Sequence, residues 1–140
     1  MKVEMVPLGT LVAHITVGWV GAMAEEYIAE GVPFLRTLNI LPYSISRSDL
    51  KFIRPDFHEK IIKSRLQQGD VVVARTGRPG TASVIPAWLD GSNCSDLVII
   101  RPGSNVDSRF LAYYINSPIG QQLVHARNVG SVQSLSLIHI

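Results

Sequence analysis

One short stretch, Arg75-Thr76-Gly77-Arg78-Pro79-Gly80, carries the residue types best suited to binding chemistry. Its glycines permit a tight turn between two arginines, directly after an apolar run. A guanidinium group can pair with phosphate oxygens, or donate two hydrogen bonds to O6 and N7 of guanine in the major groove. The hydroxyl of Thr76 and the backbone of Gly77 could contact phosphate. A tight turn with two solvated arginines is an alternative that fits the pattern equally well.

Fragments that resemble catalytic motifs fail on spacing. His58-Glu59 begins the pattern of a zinc-protease helix, but the position four after His58 is Ile62 rather than histidine. Residues 77–81 (GRPGT) lack the Lys-Ser/Thr pair of a P-loop. The four histidines and Cys94 show no metal-ligand spacing. We therefore predict no catalytic residue, no metal site and no cofactor.

Positive charge is concentrated in the middle of the chain. The net charge is only +2, yet nine of the 13 basic residues lie between Arg36 and Arg78. The first 35 residues carry four acidic residues against Lys2 alone. This polarity permits nucleic-acid binding but is also typical of an unevenly charged solvated surface.

The elements around the basic stretch are predicted to be short. Residues 33–40 are predicted as a strand in which Arg36 falls on the apolar side, so that it must be paired, bulged out or at the strand's edge. Residues 54–66 are predicted as a helix with Phe57, Ile61 and Ile62 as its apolar stripe. The apolar run 71–74 (VVVA) is predicted as a buried strand that leads into a loop at 76–80.

Further strands are predicted at 81–85 and 97–101. Asp107 or Ser108 can cap a helix whose apolar side is formed by Phe110, Leu111, Tyr114 and Ile115. A second helix is predicted to open at Ser117-Pro118 and to end near 128–130. Strands and helices do not alternate regularly, so we predict an α+β fold: a single domain with a twisted mixed β-sheet and short flanking helices.

The bulk composition is that of a globular domain. Of the 140 residues, 46% are hydrophobic, enough to form a core, and no apolar run approaches the roughly 20 residues that span a bilayer. Cys94 is the only cysteine, which excludes an internal disulfide and favours a reducing compartment. We predict a cytoplasmic protein with no signal peptide and no membrane association.

Several motifs follow one another in a fixed order across residues 7–134. They are residues 7–11 (PLGTL), 31–36 (GVPFLR) with 39–40 (NI), 69–77 (GDVVVARTG), 94–102 (CSDLVIIRP), 107–117 (DSRFLAYYINS) and 130–133 (GSVQ). Together they resemble the target-recognition domain of a type I restriction-modification DNA specificity subunit. The most distinctive part of that resemblance is the turn and strand that lead into Arg75-Thr76-Gly77.

The resemblance implies sequence-specific binding of double-stranded DNA, with this domain recognising one half of a bipartite target. The implied partners are methyltransferase (modification) subunits, which methylate adenine, and an ATP-driven restriction subunit, which cleaves DNA. This chain would then be a non-catalytic specificity module that needs no cofactor of its own.

Under this interpretation the basic middle forms one wall of a cleft against DNA. Four cations are expected to neutralise phosphates and fix the register: Lys51, Arg54, Lys60 and Lys63. The candidates for contacts to base edges are Arg36, Asn39, Arg75, Thr76 and Arg78, with Gly77 offering its backbone. A structural role at the strand ends is an equal alternative for Arg36 and Asn39. Trp19 and Tyr43 could contact sugars or bases, although partial core burial is the favoured prediction for both.

Residues 1–134 are predicted to form the recognition domain. Residues 135–140 depart from the family pattern and are predicted to be the tail of a truncated chain that need not be native to the family. Two other functions stay open on sequence alone. One is a protein-interaction module, and the other is a fragment of a fused restriction or methylation enzyme.

Overall fold

The computed structural model describes residues 8–126, so the motif at 130–133, the predicted helix end near 128–130 and the tail at 135–140 lie outside it. The strands are β1 (Val12–Val17), β2 (Tyr27–Ile28), β3 (Val32–Leu35), β4 (Ile40–Leu41), β5 (Ser44–Ile45), β6 (Lys51–Ile53), β7 (Val71–Ala74), β8 (Ala82–Val84), β9 (Asn93–Cys94) and β10 (Leu97–Pro102). The helices are α1 (Pro55–Lys60), α2 (Ser108–Asn116) and α3 (Pro118–Ala126), and 3₁₀ turns occupy Leu8–Thr10, Thr37–Asn39, Ile62–Ser64 and Ala87–Leu89.

The fold has the α+β class that the sequence predicts. Within the described range the strands divide between two four-stranded sheets and a hairpin of β4 with β5. The first sheet has the order β1-β10-β7-β8, and all its neighbours are antiparallel. The second has the order β2-β6-β3-β9 and is the mixed sheet, because β3 and β9 run parallel.

Strand β7 lies inside the first sheet and is buried on both faces. Its four residues are at most 3% exposed, as predicted for the run 71–74. Because successive side chains of a strand point to opposite faces, Val71 and Val73 pack in one cluster with α2 and α3. Val72 packs in the opposite cluster with Leu35 of β3. Burial on both sides explains why the run is apolar without alternation.

An ion pair anchors the start of β7 to β10. Asp70 is 1% exposed, and its carboxylate accepts hydrogen bonds from Nε and Nη2 of Arg101, both at 2.9 Å. The backbone N–H of Gln67 donates to the same carboxylate at 2.8 Å. These bonds satisfy a buried charge and fix where β7 leaves its turn.

Helix α2 begins as its sequence predicts. Asp107 is the N-cap, and its Oδ1 accepts from the backbone N–H groups of Arg109 and Phe110 at 2.8 and 3.2 Å. Leu111 and Ile115 are fully buried, as expected. Phe110 is 53% exposed, so the predicted apolar stripe was wrong at that residue. The second predicted helix also opens as expected, since α3 starts at Pro118.

The strand predicted over residues 33–40 was wrong beyond Leu35. Strand β3 ends there, and the chain enters the 3₁₀ turn Thr37–Asn39. Arg36 lies just past the end of the real strand, so the alternation that placed it on the apolar side of the predicted strand does not apply to it. Its backbone φ and ψ are −123° and 168°, so it is the last extended residue before the turn.

The helix predicted over residues 54–66 was also too long, since α1 ends at Lys60. The carbonyl oxygen of Ile61 accepts from Asn93 Nδ2 and from Ser64 Oγ, each at 3.0 Å. These bonds engage the oxygen that would accept from residue 65 in a continuing helix. Ile62 therefore falls on a 3₁₀ turn and is 42% exposed, whereas Ile61 is buried as predicted.

A buried polar network joins α1 to β9. Asn93 Oδ1 accepts from the backbone N–H of Cys94 at 2.9 Å, and since that group can only donate, the amide orientation is fixed. Asn93 Nδ2 therefore faces His58 Nδ1, 3.2 Å away, and His58 must accept with its proton on Nε2. Burial lowers the pKa of His58, Arg65 adds to this effect, and Glu59 opposes it.

We expect stability to fall in mild acid because of this network. The folded state holds His58 neutral, so the unfolded chain binds more protons once the pH falls below the ordinary histidine pKa near 6.5. The free energy of unfolding should be highest above that value and decline as the pH falls through the lower folded-state pKa. Urea unfolding between pH 7.5 and 5 measures this decline.

The variant His58→Asn keeps an acceptor near Nδ1 and cannot titrate, so its decline should be shallower than that of the wild type. His14→Asn alters an exposed histidine outside the network and is the matched control. A His58→Asn protein with the same decline as the wild type would contradict the role given to His58.

Candidate nucleic-acid interface

The loop at residues 75–80, here called the R-T-G loop, is held at both ends by the first sheet. The N–H of Gly80 donates to the carbonyl of Ala74 at 2.8 Å, and the N–H of Ala74 donates to Thr81 at 2.9 Å. Gly77 and Gly80 have φ values of 69° and 92°, a region that favours glycine. Between these points Thr76, Gly77 and Arg78 are exposed. The loop therefore presents polar groups from a fixed backbone.

A second segment lies against the R-T-G loop. Thr37 Oγ1 and Thr76 Oγ1 are 3.1 Å apart and share a hydrogen bond. A Cβ at Gly77 would lie 3.4 Å from the methyl group of Thr37, so the two backbones are close. The 3₁₀ turn Thr37–Asn39 and the loop thus form one continuous edge. Thr37 is a candidate site residue that the sequence prediction missed.

Asn39 has a structural position rather than the exposed one needed for a base contact. It is fully buried, and its Oδ1 accepts from the backbone N–H of Arg36 at 2.9 Å. Its Nδ2 donates to the carbonyls of Ser46 and Ser48 at 3.0 and 3.1 Å. Each polar atom of the amide is occupied, so Asn39 holds the turn in place. These contacts are those of the structural role that the sequence left as an equal alternative for Asn39.

Arg36 is paired, one of the three outcomes predicted for it. Its Nη2 donates to the backbone carbonyl and to Oδ2 of Asp49, at 2.7 and 3.0 Å. Lys51 Nζ lies 3.4 Å from the other oxygen of Asp49. Hydrogen bonds from Arg36 and then from Lys51 hold the pKa of Asp49 below its usual range. One carboxylate thus offsets two of the predicted cations.

Arg75 is also paired within the protein. Its Nη1 donates to Oδ1 of Asp96 at 2.9 Å, and the two side chains are 25% and 35% exposed. Asp96 lies between β9 and β10 and has a φ of 48°. The pair ties the beginning of the R-T-G loop to that connection. Arg75 is therefore oriented by Asp96.

Arg78 forms no ion pair within residues 8–126 and is exposed. It lines the first of two depressions that share Thr37, Leu38 and Gly77 in their walls. The second depression is lined by Arg36, Thr76, Ser95 and Asp96 as well. We call this pair of depressions, with the edge between them, the loop surface. It brings together four of the predicted residues, Arg36, Thr76, Gly77 and Arg78, and Arg75 is connected to it by the ion pair with Asp96.

Lys60 and Lys63 lie together in another depression, the lysine groove. Its other lining residues are Val17, Gly18, Trp19, Val20, Ile61 and Ser64. Both lysines are exposed and form no ion pair with the described part of the chain. Trp19 is 38% exposed, and its ring meets Phe57 edge-on with centroids 5.9 Å apart. An aromatic face and two ammonium groups therefore border one groove.

The loop surface and the lysine groove are joined through the backbone. The N–H of Trp19 donates to the carbonyl of Cys94 at 2.9 Å, and the N–H of Asp96 donates to Trp19 at 3.1 Å. Gly18 permits this approach, since a Cβ there would lie 2.7 Å from the Cys94 carbonyl oxygen. Trp19 borders the lysine groove and Asp96 borders the loop surface, so the two regions lie next to each other.

Lys51 and Arg54 line neither region. Arg54 Nη2 donates to Glu26 at 2.7 Å, and its Nε lies 3.3 Å from Asp56. Lys51 shares Asp49 with Arg36 and lies 5.5 Å from the centre of the Tyr27 ring. These two cations are therefore set apart from Lys60 and Lys63, with which the sequence grouped them.

Tyr43 lies in a third place. It is 52% exposed, and its ring packs against Tyr113 with centroids 4.7 Å apart. Together with Arg109 of α2 they line a depression that includes neither Thr76 nor Lys60. Trp19 contacts the core residue Phe57 with part of its ring, whereas Tyr43 packs on the exposed Tyr113, so the favoured prediction of partial core burial was wrong for Tyr43.

Among residues 8–126 no group of three or more His, Cys, Asp or Glu side chains is arranged to hold a metal ion. In the same part of the chain no helix has the length and apolar character needed to cross a membrane.

Comparisons with known proteins support the fold. Neither the known protein families nor the curated proteins include a match to this sequence. The HsdS subunit from Thermoanaerobacter tengcongensis superimposes with a TM-score of 0.67 at 14% identity, over 98% of this chain and 32% of that chain. A chain solved in a study of complex assembly and conformational transition of the type I R-M system gives 0.70 at 17% identity, over 98% and 33%. This chain thus spans about one third of the solved chains it matches, and its fold is found in specificity subunits of type I R-M systems.

Proposed function

We propose that this chain is a target-recognition domain that binds double-stranded DNA in a sequence-specific way. One observation carries the proposal. In a fold shared with type I R-M specificity subunits over 98% of the chain, the R-T-G loop is anchored in the sheet and exposes Thr76, Gly77 and Arg78. A fixed loop that bears hydrogen-bond donors is what base recognition in a groove requires.

The loop surface supplies the contacts to bases in this proposal. Arg78 can donate two hydrogen bonds to guanine, and Thr76 can donate to or accept from a base edge or a phosphate. Arg36 and Arg75 are oriented by Asp49 and Asp96. They can turn toward DNA only if those bonds are shared or exchanged, so we assign the leading role to Arg78.

The lysine groove supplies phosphate contacts. Lys60 and Lys63 are exposed without a carboxylate partner in the described range, so neutralising a phosphate releases counterions and breaks no ion pair. Trp19 offers an amphipathic ring beside them. For Lys51 and Arg54 a phosphate contact stays a prediction, and the carboxylates at Asp49 and Glu26 should weaken it.

The chain would act as the specificity module of a larger assembly. We propose that it recognises one half of a bipartite target and directs methyltransferase and restriction subunits to it, while methylation and cleavage reside in those partners. In the alternative of a protein-interaction module without DNA, Lys60, Lys63 and Arg78 would instead pair with acidic groups of a protein partner.

Selection from randomised duplexes tests the proposal directly. The protein, alone and together with a methyltransferase subunit, should enrich a short recurrent sequence. Binding of the duplexes without enrichment of any recurrent sequence, under either condition, would contradict the proposal. Metal-dependent nicking of plasmid DNA by the pure protein would contradict the non-catalytic assignment.

We expect Arg78→Ala to relax the base preference at one position of the selected sequence. Loss of a bidentate contact to guanine should reduce discrimination there by roughly 1–3 kcal/mol, while other positions keep theirs. Competition binding with single-base variants measures the change. Arg109→Ala, in an exposed arginine outside both regions, is the control. Equal weakening toward every sequence would instead mark Arg78 as a phosphate contact.

We expect Lys60→Ala with Lys63→Ala to weaken binding to all sequences and leave the base preference unchanged. Each lost phosphate contact lowers the slope of log affinity against log salt by about 0.9. Binding titrations from 50 to 200 mM salt should therefore show a slope shallower by about 1–2. Lys51→Ala, which removes a lysine paired with Asp49, should change the slope less. An unchanged slope in the double variant would remove the lysine groove from the interface.

A further inference from the structure

A half-exposed leucine stands at the centre of the loop surface. Leu38 is 50% exposed and lines both depressions, together with Thr37 and Gly77. Its neighbours in the 3₁₀ turn are both fixed, since Thr37 bonds to Thr76 and Asn39 is buried with three hydrogen bonds. The position of the Leu38 backbone is therefore set, while its side chain faces solvent.

Leu38 lies between apolar and polar groups, since Ile40, Leu41 and Pro42 also line the first depression. The groups that line the two depressions with it include Thr76 and Arg78 of the R-T-G loop and the Arg36 guanidinium. A single exposed leucine on a protein surface needs no explanation by itself. This one occupies the edge between two sets of hydrogen-bond donors that we propose to face bases, where a polar side chain would add another contact.

A leucine at that place selects for an apolar group on the base. It can form no hydrogen bond with a base edge or a phosphate. In the major groove of unmodified DNA, the apolar group available on a base edge is the C5-methyl group of thymine. Burial of that methyl group against the leucine side chain favours binding by the hydrophobic effect.

We infer that Leu38 is a specificity-determining residue that contacts a thymine methyl group in the half-site. This inference rests on the proposed function and extends it, because it assigns one base pair of the target to one side chain. The contact is positioned by the Thr37–Thr76 hydrogen bond and by Asn39. The turn would thus contribute to recognition beside the R-T-G loop rather than only support it.

Deoxyuridine substitution tests the contact at the level of one methyl group. Every thymine of the selected half-site, on both strands, is replaced singly by deoxyuridine, which removes the methyl group and keeps each hydrogen-bonding atom. Wild-type protein should lose affinity about fourfold at one position, the value that corresponds to one buried methyl-sized group. Leu38→Ala should bind the thymine and deoxyuridine duplexes equally at that position.

Ile119→Ala is the matched control, because Ile119 is 60% exposed and lines neither region. It should keep the full sensitivity to the methyl group. Circular dichroism and the urea midpoint verify that both variants are folded. Since Leu38 is exposed, its replacement should leave the midpoint close to that of the wild type.

The outcomes separate this inference from the proposed function. A recurrent half-site with no methyl-sensitive position, or with methyl sensitivity that persists in Leu38→Ala, overturns the role of Leu38 and leaves sequence-specific binding intact. A half-site without thymine on either strand does the same. Failure to select any sequence overturns the proposed function, and this inference with it.

Discussion

The burial of β7 is the constraint on which the candidate interface depends. Strands β10 and β8 flank it, and packed clusters cover both faces, so its residues cannot shift without exposing valines. Asp70 and Arg101 fix its start, and the bond from Gly80 to Ala74 fixes its end. The R-T-G loop therefore leaves the sheet at one place and in one direction. The base recognition proposed for this loop needs such a fixed origin, because a misplaced donor loses its geometry.

Carboxylates determine which of the basic residues are available. Asp49, Glu26 and Asp96 each engage an arginine, so a count of charge along the sequence overstates the positive surface. The net charge of +2 is consistent with this balance. Exposed ion pairs contribute little to stability, so the pairs serve mainly to orient side chains. Among the cations predicted to contact DNA, Lys60, Lys63 and Arg78 have no such partner in the described range, so an anionic ligand would displace no carboxylate there.

The sequence predicted those features that depend on local pattern. The apolar run 71–74, the loop after it and the Asp107 cap each follow from adjacent residues. The end of α1 could not be predicted, because the group that engages the Ile61 carbonyl is Asn93, 32 residues further along the chain. The burial of Asn39 was equally hidden, since its partners include the carbonyls of Ser46 and Ser48 across a loop. Candidate site residues such as Leu38 were missed because the predicted strand extended over the turn.

The two-residue connection from β9 to β10 explains how distant segments form one surface. Strand β9 belongs to the second sheet and β10 to the first, and only Ser95 and Asp96 lie between them. Asp96 holds Arg75 of the R-T-G loop through its side chain and Trp19 of the lysine groove through its backbone. Because so short a connection cannot stretch, a displacement of one sheet must move the other. The spacing between the loop surface and the lysine groove is therefore set by the junction of the two sheets, so the fold itself would align the proposed base contacts with the proposed phosphate contacts.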